Sequence, residues 1–128
     1  MFPCQSFLKE SDYVSLHCPL TSETRHLIDE VHLSMMKPSA AIINTARGAL
    51  IDEQALIAAL QNKRIAKAAL DVQEEEPMRE DNPLYTMPNV IITPHMGWRG
   101  LETRQRLLQL VSANIEAYME GTVINRVV

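Results

Sequence analysis

Glycine is scarce in this 128-residue chain, which contains only Gly48, Gly97, Gly100 and Gly121. Those positions form neither G-x-G-x-x-G nor G-x-x-x-x-G-K-[ST], so the residues present include no dinucleotide fingerprint and no P-loop. Cysteine is scarcer still. Cys4 and Cys18 have no metal-type spacing and make no disulfide framework, and both are read as unpaired thiols. Basic charge is not in excess: 12 Lys and Arg against 16 Asp and Glu leave a net charge of −4. A general nucleic-acid binder needs a basic face to neutralise phosphates, so that class is excluded. No apolar run approaches the roughly 20 residues that cross a bilayer. Met1-Phe2-Pro3-Cys4 does not lead into a signal peptide either. A cytoplasmic protein with no membrane partner, no nucleic-acid partner and no metal is expected.

What is present is the composition of an ordinary globular domain, 46% hydrophobic and 22% charged, long enough for one core. Residues 12–17, Asp-Tyr-Val-Ser-Leu-His, have strand character and stop at Cys18-Pro19, where proline removes a ladder donor. The polar stretch Thr21-Ser22-Glu23-Thr24 suits a short helical turn. Residues 30–37 suggest a brief helix ended by Pro38. Ala40 to Asn44 is a continuous small and apolar run, the pattern of a strand covered on both faces. Asp52 is an N-cap candidate for a helix through about Lys63, with Ala55, Leu56, Ala59 and Leu60 at helical spacing. Ile65–Val72 reads as a strand, although its alanines also suit a helical continuation. Residues 73–88, with an acidic cluster and Pro77, Pro83 and Pro88, read as a loop. Val90 to Thr93 is a further strand. Leu107, Val111, Ile115 and Tyr118 then mark one face of a long C-terminal helix stopped near Gly121.

Strands alternating with helices specify an α/β parallel sheet, whose functional loops lie at the carboxyl ends of the strands. His17-Cys18-Pro19 ends the first strand and Asn44-Thr45-Ala46-Arg47-Gly48 the second. Asp71 closes the third, with Glu74-Glu75-Glu76-Pro77 beyond it, and Pro94-His95-Met96-Gly97 follows the fourth. Arginine holds a carboxylate bidentately, and histidine exchanges a proton near neutral pH. A carboxylate bonded to that histidine would orient its ring and stabilise the protonated form. Each piece also has a plainer reading. Gly48 accommodates a backbone turn, Glu74–Glu76 alone is a solvated run, and His95 suits a surface position. His17, His26 and His32 show no partner pattern and are read as structural or exposed. The methionines are read as core filler.

Taken in order, four segments carry a signature: His17-Cys18-Pro19-Leu20-Thr21, Ile43 to Gly48, Ala69-Leu70-Asp71-Val72 with Glu76-Pro77, and Thr93 to Gly97. The chain from about Ser11 resembles the D-isomer-specific 2-hydroxyacid dehydrogenase family. Pro94-His95-Met96-Gly97-Trp98, followed by Thr103-Arg104-Gln105-Arg106-Leu107, is most similar to the glycerate dehydrogenase (hydroxypyruvate reductase) branch. The resemblance implies a partial Rossmann-like parallel sheet, the second half of a cofactor domain, with a long C-terminal helix. It also implies NAD(P)-dependent interconversion of 2-keto and D-2-hydroxy acids, with NAD as cofactor and NADP not excluded. On that basis Arg47 would bind the substrate carboxylate and polarise the carbonyl, and His95 would donate the proton. Glu76, the glutamate directly before Pro77, would pair with His95. Asp71 would hydrogen-bond the nicotinamide carboxamide. Pro19, Thr45, Ala46, Arg47, His95 and Gly97 would line the cofactor.

Members of the family also carry a substrate-binding segment and a glycine-rich turn with a ribose-binding acid, and residues 1–128 contain neither. The expectation is therefore a truncated NAD-binding domain over 1–128 that has little activity alone, with an exposed sheet edge and apolar helix faces. The alternative is a non-enzymatic half-domain that folds by pairing with a second copy or a complementing chain. An unrelated α/β binding domain would require four ordered motifs to coincide by chance.

Overall fold

The computed structural model describes residues 5–127; Cys4, read above as an unpaired thiol, lies outside them. The chain divides after His95 into two compact units. In the first, α1 (Gln5–Glu10) leads into β1 (Tyr13–Leu16), α2 (Glu30–Met35), β2 (Ala41–Asn44), α3 (Glu53–Gln61), β3 (Lys67–Leu70) and β4 (Val90–Ile92). The strands form one parallel sheet in the order β1-β2-β3-β4, with Val14 beside Ile42, Ile42 beside Ala68 and Ala68 beside Val90.

Local chemistry sets the helix boundaries. Asp52 caps α3 by accepting from the Ala55 amide, as its position predicts. Asp29 caps α2 in the same way through the His32 amide. The buried face of α3, Leu56, Ile57, Ala59 and Leu60, meets one core cluster with Leu8, Leu33 and Ile42. Each buried leucine or isoleucine contributes about 2 kcal/mol on leaving water.

Burial alternates along the strands. Val14, Leu16, Ile42, Asn44, Ala68 and Leu70 are buried, while Tyr13 and Ile91 on the other face are 73% and 68% exposed. Cover on both faces of β2, expected from its unbroken apolar run, is therefore not what this unit shows: Ala41 and Ile43 are only half-buried. An apolar run records tolerance of burial on either side, and the pleat decides which side is filled.

Three elements went unread in the sequence. The helix α1 is one, and 3₁₀ turns at Gly48–Leu50 and Pro83–Thr86 are the others. The second lies within the expected loop, with Asn82 accepting from the Leu84 amide and proline in its first turn.

The second unit holds α4 (Leu101–Met119), which starts well before the apolar face read from Leu107. Gly121, at φ 73°, terminates it, and the Thr122 amide donates to the Ala117 carbonyl at 2.8 Å. Leu107, Val111, Ile115 and Tyr118 are all exposed. No helix among the described residues is long and apolar enough to cross a membrane.

Candidate active site

The carboxyl end of β2 is organised by one buried amide. Asn44, 1% exposed, accepts from the Ala46 amide at 3.1 Å and donates from Nδ2 to the Arg47 carbonyl at 2.9 Å. This closes a turn that leaves Thr45 and Arg47 on the surface. The Arg47 guanidinium folds back to donate to the Ala46 carbonyl at 2.6 Å. Gly48 follows, and its smallness has a specific cause: a Cβ there would stand 1.8 Å from the Gln73 carbonyl oxygen. The turn reading of Gly48 is thus refined, because close approach of another loop requires the glycine.

The third strand end carries the acids. Asp71 is half-buried, accepts from the Thr93 hydroxyl, and is tied to β2 by its amide, which donates to the Asn44 carbonyl at 2.9 Å. Val72 and Gln73 turn inward, and the chain then reaches Glu76, whose peptide bond to Pro77 is cis. Glu76 Oε1 accepts from the Gln73 amide at 3.0 Å.

Glu76 Oε2 lies 2.7 Å from His95 Nδ1, beyond β4. An ionised carboxylate only accepts, so the ring nitrogen is the donor and Nε2 is left for other chemistry. His95 has φ 50°, a left-handed backbone costing of order 1 kcal/mol for a residue with a Cβ. Burial pushes the Glu76 carboxyl up. The His95 hydrogen bond, the Gln73 amide and the charges of His95 and Arg47 outweigh this and hold it below the usual range. Glu76 and His95 also line a cavity of about 510 Å³ with Pro77, Met78, Leu84 and Ile92.

The residues singled out in the sequence separate clearly. Arg47, Glu76, His95, Asp71, Thr45 and Ala46 lie at neighbouring strand ends in one unit. Pro19 follows β1 there, exposed, its carbonyl accepting from the Thr24 hydroxyl at 2.7 Å. Cys18 is a free, half-buried thiol. Gly97 belongs to the second unit, in a turn closed by the Arg99 amide on the Met96 carbonyl at 2.9 Å. Asn44 was not singled out as a site residue, because a buried amide inside an apolar run gives no periodic signal. His17 and His32 do have partners: Ser15 Oγ at 2.8 Å and Asp29 Oδ1 at 2.7 Å. No group of three His, Cys, Asp or Glu among the described residues is placed to hold a metal ion.

This donor set fits the nicotinamide end of a dinucleotide. Asp71 and Thr93 form a half-buried carboxylate and hydroxyl pair suited to an amide, and Arg47, an exposed cation, follows the neighbouring strand β2. A glycine turn for the pyrophosphate is not among the residues present.

Comparison with known proteins identifies the family. Residues 1–97 match the family described as D-isomer specific 2-hydroxyacid dehydrogenase, NAD binding domain. The glyoxylate reductase of Aeropyrum pernix is 46% identical over 119 residues, covering 93% of this chain and 36% of that protein. The hydroxypyruvate reductase of Blautia hydrogenotrophica is 42% identical over 118 residues, covering 92% and 37%. The crystal structure of the NAD-complexed D-isomer specific 2-hydroxyacid dehydrogenase from Lactobacillus delbrueckii ssp. bulgaricus superposes with a TM-score of 0.85. It is 35% identical, over 94% of this chain and 40% of that one. The chain thus spans a little over a third of the length of these curated relatives.

Proposed function

This chain belongs to the D-isomer specific 2-hydroxyacid dehydrogenase family, and from that premise we propose that it carries the proton-donating part of a 2-keto acid reductase. The substrates are small 2-keto acids of the glyoxylate or hydroxypyruvate type, reduced to D-2-hydroxy acids with NADH or NADPH in the cytoplasm. The observation that carries this reading is the 2.7 Å pair of His95 Nδ1 and Glu76 Oε2 at the strand ends, with Arg47 near enough for its charge to act on Glu76.

When bound, the reduced nicotinamide supplies a hydride to the keto carbon. Negative charge then develops on the carbonyl oxygen, which needs a proton donor and a cation beside it. His95 gives that proton from Nε2, so hydride and proton together convert C=O to CH–OH. Glu76 fixes the ring through Nδ1 and stabilises the imidazolium before transfer. Arg47 holds the substrate carboxylate and polarises the carbonyl. Asp71 would accept from the carboxamide, and the backbone at Pro19, Thr45 and Ala46 would line the nicotinamide. A second copy or a complementing chain is the partner this reading admits.

The test is NADH oxidation by the native gene product with glyoxylate and with hydroxypyruvate. Turnover is expected with at least one, and Arg47→Gln should raise KM about ten-fold or more by removing a bidentate contact. An enzyme that binds NADH but reduces no 2-keto acid would contradict the reading.

A further inference from the structure

A cluster outside the residues assigned above joins two loops of the site. Glu74 Oε1 accepts from Arg25 Nη2 at 2.7 Å and from His26 Nε2 at 2.8 Å. Glu74 and His26 lie 48 positions apart, so no local pattern in the sequence announces the contact. Arg25 and His26 sit in the turn after β1, and that turn is fastened to the segment directly following Arg47. The His26 amide donates to the Ala49 carbonyl at 2.8 Å, and the Ile28 amide to the Leu50 carbonyl at 3.0 Å. His26 is held at φ 52°, a left-handed conformation that a residue with a Cβ adopts only when its surroundings fix it. On its other side, the Glu74 amide approaches Glu53 Oε2 at 3.4 Å, and Glu53 Oε1 accepts from Asn82 Nδ2 at 2.7 Å. Two residues beyond Glu74 in the chain stands Glu76, bonded to His95.

We propose that Glu74 is a positioning residue: gripped by Arg25 and His26, it fixes the loop carrying Glu76 against the segment carrying Arg47, and so sets the spacing between substrate cation and proton donor. The proposal rests on the reductase reading for its consequence, because both groups must reach one keto acid at the same time. Geometry of that kind tolerates displacements of well under 1 Å, by general experience of catalytic alignment. Stability alone gives no reason for the clasp. The side chains of Arg25, His26 and Glu74 are 56%, 37% and 28% exposed, and pairs so hydrated contribute little to folding.

Glu74→Gln separates position from charge. Removing a negative charge near Glu76 would by itself lower the Glu76 titration further. Loosening the loop would instead weaken the His95 contact and raise it toward the ordinary carboxylate range. Glu74→Asp keeps the charge and shortens the reach by one methylene, so it should also raise it. The measurement is the ¹³C carboxyl titration of Glu76 in the native gene product, with its melting temperature and its kinetics on a 2-keto acid. Expected are an upward Glu76 titration in both variants, a melting temperature within about 2 °C of the parent, and kcat down about ten-fold with KM within about two-fold. A Glu76 titration that stays or falls in Glu74→Gln, or is unmoved in Glu74→Asp, overturns the clasp. Absence of turnover in the parent would contradict the reductase reading alone, since the titration still decides the clasp.

Discussion

Gly48 and Gln73 are in backbone contact across two strand ends, so close that a Cβ on Gly48 would also lie 1.9 Å from the Gln73 carbonyl carbon and 2.5 Å from the Glu74 nitrogen. The turn that carries Arg47 and the loop that carries Glu76 therefore share one wall. Gly48→Ala cannot be absorbed by a flexible side chain, because every atom it meets is main chain. The variant should lose about 1–3 kcal/mol in urea unfolding, the range of core overpacking, and the Glu76–His95 hydrogen bond should lengthen or break. Unchanged stability would mean that the two loops are not in contact.

The wall itself has a weakness. Gln73 is 8% exposed, and its Nε2 is buried without a hydrogen-bond partner. A buried donor left unmade costs about 1–3 kcal/mol, whereas an apolar side chain of similar shape carries no such cost. Gln73→Met should raise the urea midpoint, with an unchanged m-value, by up to about 1 kcal/mol in stability. A clear loss would show that the amide has a partner in solution.

How much of this was legible in the sequence depended on the range of the interaction. The Asp52 cap and the four strand positions are written in neighbouring residues, and the structure keeps them. So is the order of the strand-end loops. The 3₁₀ turn at Gly48–Leu50 is not, because it depends on a loop arriving from Gln73. Arg25, His26 and Glu74 carry no mutual spacing that could announce a contact, and Asn44 hides in an apolar run because its amide is satisfied by the turn it closes. Which face of β2 would be filled was also beyond the pattern, since Ile42 and Ile43 look alike until the pleat assigns them opposite sides.

Acid should destabilise the fold in a defined window. Asp29 is held below its ordinary range chiefly by the His32 amide, with the His32 ring adding to the effect. Glu76 is lowered as well, despite burial pushing it up. A carboxyl lowered by folding contributes stability that is fully present above its unfolded value and lost as pH falls through its folded one. The urea midpoint should therefore hold across the neutral range and fall below the ordinary carboxylate range. Asp29→Asn should keep the α2 cap, since asparagine caps as well as aspartate, while flattening part of that fall; Asp29→Ala should cost about 1 kcal/mol at neutral pH. An acid limb unchanged in Asp29→Asn would remove Asp29 from it.

The most direct measurement compares the native gene product with its His95→Ala variant, in NADH oxidation on the best 2-keto acid and in NADH binding by fluorescence. If His95 is the proton donor held by Glu76, kcat falls by about two to four orders of magnitude, while the NADH Kd stays within about three-fold. Turnover within a few-fold of the parent would contradict the assignment, and with it the role of the 2.7 Å pair on which the site is built.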